Sequence, residues 1–238
     1  RAIGASDPGA EPATVSNRIV ATVDILTGLI DTTTALADAY DSSTFRGATS
    51  LDGSSFWLGG NSSNGSVRYA TLGATSSLDI ATSPSNVRWI DNYKGQLYIT
   101  SASTGAATQG VVEVGTGMPT TALQTTTLLP GFPTAGVFND GAPYDFRFAN
   151  NSTPYVTDRA YLGTNCGVQK WTLAAGTWTR QYTIVVGATE CVRGLSGIVR
   201  DGVAEIWFTA EPSGSVTSLY KVVDTGAGST PVLIQTEA

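Results

Sequence analysis

Residues 45–73 read FRGATSLDGSSFWLGGNSSNGSVRYATLG. The stretch holds three apolar, β-rich runs at 45–51, 54–59 and 67–72, and a fourth follows at 77–81. Asp52-Gly53 separates the first two runs. Glycine supplies the positive φ that a tight hairpin turn needs, so this pair predicts a β-hairpin. Four short strands joined by tight turns make one antiparallel meander.

The same unit recurs along the chain. VRWIDNYKG, QLYITSAS, GVVEVG and ALQTTTLL form a second copy, with Lys94-Gly95 at the turn. PYDFRFA, PYVTD, GVQKWTL and TWTRQYTIVV form a less regular third. VRGLSGIVRDG, AEIWFTAEP, SLYKVVDTG and TPVLIQTEA form a fourth, turning at Asp201-Gly202. Arg46, Arg88, Arg147 and Arg193 open the units at spacings of roughly 40 to 60 residues, near the ~40–50 of propeller blades. The expected fold is all-β: a β-propeller of four-stranded antiparallel blades at 45–82, 86–129, 142–186 and 192–238. A half blade at 17–40 precedes them, behind a flexible segment at 1–16. Four to five blades come from this chain, and the half blade predicts that a missing or cleaved segment, or a companion polypeptide, completes the ring. The opening RAIGASDPGAEPATVSN reads as the start of a processed product.

Composition narrows the function. The net charge is −6 and only 13% of residues are charged, while 41% are hydrophobic and 27 are glycine. No basic cluster exists to hold phosphates, which argues against nucleic acid. No apolar run approaches the ~20 residues of a membrane span. Low charge with abundant Ser and Thr predicts a secreted, extracellular protein. Two cysteines, Cys166 and Cys191, allow a single pairing. A disulfide is preferred over two free thiols and fits an oxidising compartment.

The pattern resembles a family of uncharacterised secreted propeller-like repeat proteins found in bacteria and some eukaryotes. The residues that carry the resemblance include Asn17-Arg18-Ile19-Val20, Arg46-Gly47, Asp52-Gly53 with Phe56-Trp57, Gln96-Leu97-Tyr98, Leu129-Pro130-Gly131-Phe132, Gln169-Lys170-Trp171, Arg193-Gly194-Leu195 and Asp224-Thr225-Gly226. The resemblance implies the fold and secretion but no established activity. It also implies longer chains at both ends. Cys166 and Cys191 depart from the family pattern together, which again suggests that they bond to each other.

Chemistry-bearing residues are sparse. The absence of His removes the Ser-His-Asp and Cys-His triads and His metal sites. Neither a metal site nor a cofactor is expected. Asp91, Asp145, Asp158 and Asp201 are candidates for a paired-carboxylate mechanism, although Asp in β meanders is commonly a turn former. The four arginines are candidates for a ring at the channel mouth that binds a carboxylate, sulfate or phosphate. The competing reading has each one bonding loop carbonyls or stacking between blades. Trp178 is the candidate for sugar stacking, while Trp57 and Trp207 are expected in the core. Asn61, Asn64, Asn150 and Asn151 head glycosylation sequons at expected hairpin tips. The function expected is a secreted, non-enzymatic binding or structural glycoprotein of the cell surface or matrix that binds carbohydrate or a small anion. The alternatives are a hydrolase or lyase on acidic polysaccharide, or a subunit of a filament or coat.

Overall fold

The computed structural model describes residues 8–62, 65–103, 108–133, 142–159, 166–187, 190–212 and 217–237. Beyond one 3-10 turn at Pro8–Ala10, regular structure in these residues is all β. β1 (Arg18–Val23) and β2 (Ile30–Leu36) form a two-stranded sheet. Four four-stranded sheets follow. The first contains β3 (Phe45–Ser50), β4 (Ser55–Gly60), β5 (Val67–Thr71) and β6 (Leu78–Ala81). The second contains β7 (Val87–Tyr93), β8 (Gln96–Ser103), β9 (Thr108–Val114) and β10 (Thr126–Leu128). The third contains β11 (Pro143–Asn150), β12 (Thr153–Asp158), β13 (Gly167–Ala174) and β14 (Thr177–Ile184). The last contains β15 (Glu190–Arg200), β16 (Val203–Pro212), β17 (Ser218–Val223) and β18 (Val232–Thr236). Each sheet keeps its strands in chain order, as a meander does.

Turn chemistry explains the spacing. At Lys94-Gly95, Ala175-Gly176 and Asp201-Gly202 both residues have positive φ. That is the type I′ geometry, whose twist matches the strands it joins. Asp52 acts differently. Its Oδ1 accepts the Ser54 amide at 2.8 Å and the Ser54 hydroxyl at 2.8 Å, closing the β3–β4 loop with a side chain.

Burial follows strand position. The second strands β4 and β12 are buried at every position after the first. They are covered on both faces: β4 reads as an apolar run, Phe56-Trp57-Leu58, rather than an alternation, while β12 also buries the polar Thr157 and Asp158. The outermost strand β18 is exposed at every position.

The chain forms two compact units, one of Arg1–Ile99 with Val112–Thr127 and one of Thr100–Val111 with Leu128–Ala238. In the first unit β3 and β4 pack on β7. A second core there joins Val20 and Leu36 of the two-stranded sheet to Phe56, Leu58 and Ala70, with Tyr40 filling the gap. Arg18 anchors this sheet: its guanidinium donates to the carbonyls of Ser16 (2.6 Å), Glu11 (2.8 Å) and Tyr40 (2.9 Å). In the second unit β11 and β12 pack on β15. Val168, Ile184, Val192, Leu195, Ile206 and Phe208 fill the space between those sheets.

Candidate binding cleft

The four arginines have different surroundings. Arg46 donates through Nη1 to Asn86 Oδ1 and to the Val87 carbonyl, both at 2.7 Å. It therefore ties β3 to the start of β7. Arg88, on β7, is half-buried. Arg193 pairs with Glu211 at 2.8 Å and lies 5.5 Å from the Tyr144 ring centre. Arg147 is exposed on β11.

Strand register shows why equal spacing does not make these positions equivalent. On β15 the register shifts between Val192 and Leu195, with Arg193 and Gly194 between them. On β11 it shifts between Pro143 and Phe146, with Tyr144 and Asp145 between them. The Gly194 amide donates to Thr209 Oγ1 at 3.0 Å, and the Asp145 amide donates to Thr157 Oγ1 at 2.8 Å. Tyr144 is thus the structural counterpart of Arg193, and Arg147 lies three residues further along its strand.

The candidate acids serve as stitches. Asp145 is buried, with Oδ1 accepting the Phe146 amide (2.7 Å) and Oδ2 the Leu195 amide of the neighbouring sheet (2.8 Å). Asp158 is buried and accepts the Ala142 amide (2.9 Å) and Gln169 Nε2 (3.0 Å). Asp91 accepts Thr49 Oγ1 (2.9 Å) and the Asn92 amide (2.8 Å). Asp201 sits in the β15–β16 turn at φ 51.

One charged cluster was not legible in the sequence. Asp224, just past β17, has a side chain only 2% exposed and pairs with Lys170 of β13 at 2.7 Å. Its carboxylate also accepts the hydroxyl of Tyr155 on β12, the hydroxyl of Tyr182 on β14 (2.5 Å) and the Gly226 amide (3.0 Å). Burial alone would push the Asp224 carboxyl up. Hydrogen bonds from Lys170, Tyr155 and Tyr182 outweigh it and hold the carboxyl below its usual value. Burial likewise works to lower Lys170, but its bonds to Asp224 and Tyr182 raise it. Burial and then Asp224 raise both tyrosines. Four side chains from two sheets thus form one satisfied network.

Trp178, expected at the surface, is buried at 7% exposure. Its amide donates to the Pro130 carbonyl at 2.8 Å, and its ring meets Phe148 edge-on with centres 6.1 Å apart. At that burial the ring offers little face to a sugar. Trp57 is buried and donates Nε1 to the Pro119 carbonyl at 2.7 Å. Trp207 is only half-buried, beneath the Lys221 ammonium at 5.0 Å.

Asn150 and Asn151 are exposed at the β11–β12 turn. Asn61 is half-buried at the end of β4, where it bridges to Asn86. Asn64 lies outside the described residues. Cys166 and Cys191 are half-buried thiols within interaction reach of each other, at the start of β13 and on β15. Burial first, and Cys191 after it, push the Cys166 thiol up to about 11.

The exposed arginine lines a cleft. Between β11 and the β15–β16 hairpin lies a cavity of roughly 200 Å³. Apolar Leu195, Ala204 and Ile206, aromatic Phe148 and Tyr155, and Arg147 are among the residues that line it. Glu205 lines the opposite side and is already engaged by Lys221 (2.8 Å) and Arg200 (3.9 Å). The Lys221 hydrogen bond leads the causes that hold the Glu205 carboxyl below its usual value. Arg200 and Lys221 thus hold Glu205, with Asp201 at the turn beyond. The surroundings are cationic in a chain of net charge −6.

No protein-family model matches the chain, and no curated protein matches it. Among solved structures it is similar to dihydro-heme d1 dehydrogenase NirN in complex with DHE, at 11% identity and a TM-score of 0.51. The similarity covers 92% of this chain and 42% of that one. It bears on fold alone. NirN is a propeller protein, and this chain is all-β with a β-propeller-like fold of four-stranded antiparallel sheets.

Proposed function

We propose that the chain is a secreted, non-enzymatic binding glycoprotein and that the Arg147 cleft binds the carboxylate of an acidic sugar. The observation that carries this reading is the cleft itself: an exposed arginine among apolar and aromatic lining residues, with the nearby Glu205 carboxylate engaged by Lys221 and Arg200. A guanidinium matches a carboxylate with two parallel donors. The apolar face of a pyranose suits the Phe148 side. The cavity is smaller than the ~300–1,000 Å³ of drug-sized sites, so it suits one ring. The engagement of Asp145 and Asp158 by backbone amides supports binding over paired-carboxylate hydrolysis.

Calorimetry with glucuronate and glucose tests this directly. Glucuronate is expected to bind, and Arg147→Ala to weaken it about tenfold or more, the worth of a charge-assisted hydrogen bond. Glucose is expected to bind far more weakly. Equal binding of the two sugars, or no effect of Arg147→Ala, sinks the reading.

Secretion carries its own expectation. The native protein should contain a Cys166–Cys191 disulfide and a glycan at Asn150 or Asn151 if its source glycosylates. Closing this loop of about 25 residues should stabilise the fold by ~3 kcal/mol. Intact mass would be lower by two hydrogens and the thiols would resist alkylation until reduced. Thiols that alkylate freely in folded native protein contradict this.

A further inference from the structure

We propose that β1 is an interface between two copies of this chain, pairing with the partner's β1 about a two-fold axis. Among the described residues every other sheet has four strands, whereas β1 and β2 stand as a pair. Two such pairs joined through β1 make a four-stranded sheet of the same kind.

Register identifies the available edge. The Asp24 amide donates to the Leu29 carbonyl at 2.9 Å, so the next paired residues, Val23 and Ile30, turn their backbone groups away from each other. At the far end the Ala35 amide donates outward to the Ala74 carbonyl at 3.0 Å, and its partner Ile19 therefore turns outward too. The extra residue at the register shift falls on β2, where Thr32 and Thr33 lie opposite Ala21. β1 itself therefore runs regularly, with Ile19, Ala21 and Val23 facing the open edge. Among the described residues no other backbone group bonds to that edge.

The edge is self-complementary. In an antiparallel pair centred on Ala21, Ile19 of one protomer lies opposite Val23 of its partner. Both side chains are exposed and apolar. The arrangement forms about six backbone hydrogen bonds. The hairpin tip adds Ile25 and Leu26, 94% and 91% exposed, beside the start of the partner's strand. Natural edge strands are commonly guarded by charged side chains. Between Ile19 and Val23 there is none, and the Arg18 guanidinium is turned back onto its own carbonyls.

Sedimentation equilibrium on the whole chain tests the proposal. A particle of about twice 24.6 kDa is expected. Ala21→Pro removes an outward amide that β2 does not use, and should weaken dimerisation about tenfold or more while far-UV circular dichroism stays unchanged. The double variant Ile19→Lys with Val23→Lys places lysine opposite lysine across the two-fold axis and should dissociate the dimer without touching the backbone. It carries the test should the proline unfold the strand. A monomeric wild type, or a dimer that survives in both folded variants, overturns the proposal.

Discussion

Asp224→Ala should be among the most destabilising single substitutions in the chain. It leaves the Lys170 ammonium and two tyrosine hydroxyls without the acceptor they share. Breaking a buried ion pair from one side costs ~3–5 kcal/mol, and partial exposure of Lys170 places this case near ~3 kcal/mol. In a chain of this size that corresponds to roughly 6–12 °C in Tm. Lys170→Met should cost less, because Asp224 keeps both phenols and the Gly226 amide. The pH profile separates this network from simple loss of packing. The Asp224 carboxyl is held below its ordinary 3.8, so its contribution is complete above that value and is lost as pH falls through the lower one. Lys170 is raised above 10.5, so its contribution is complete below that value and is lost only as pH rises past it. Wild-type stability should therefore decline in acid more steeply than that of Asp224→Ala. Parallel acid limbs measured by thermal melts would show that the network does not act as described.

Gly131→Ala should cost a comparable amount by a different route. Gly131 has φ +96, and a Cβ there would overlap the Trp178 carbonyl oxygen and lie 2.9 Å from Thr177 Cγ2. The left-handed backbone costs a side chain ~1 kcal/mol or more, and displacing the β14 backbone adds ~1–3 kcal/mol. A total of about 3 kcal/mol follows from those two costs. Gly176→Ala is the control. Its φ is +79, but nothing lies within 4 Å of the new methyl, so it should lose only about 1 kcal/mol. Urea midpoints that move equally for the two variants would remove the packing argument for Gly131.

The strands were legible because their turns are local. Lys94-Gly95 and Asp201-Gly202 announce positive φ in the sequence, and β7, β8, β15 and β16 lie where those pairs place them. Continuous apolar runs such as FWLGG marked strands covered on both faces. What failed to show depends on contacts between distant segments. The arginine spacing looked like a repeat, but the register shifts at Tyr144-Asp145 and Arg193-Gly194 decide which residues correspond. Arg147 lines a cleft, while Arg46 and Arg193 bond to neighbouring residues. Trp178 sits at a strand start that reads as surface, and it is buried with its ring against Phe148, 30 residues away. Neither Asp224 nor Lys170 announces its partner in the sequence, since 54 residues separate them. The pairing of β12, β13 and β14 sets Tyr155, Lys170 and Tyr182 side by side, and only the packing of the next sheet delivers Asp224 to them. Nothing within twenty residues of Asp224 signals that meeting.

The proposed function places an acidic sugar in the Arg147 cleft. Amide chemical-shift mapping during a glucuronate titration tests it most directly. Saturable shifts are expected at Arg147–Ala149, Ser196–Val199 and Ala204–Ile206, with the two-stranded sheet at Arg18–Leu36 unmoved. Saturable shifts centred elsewhere, or none across the titration, would contradict it.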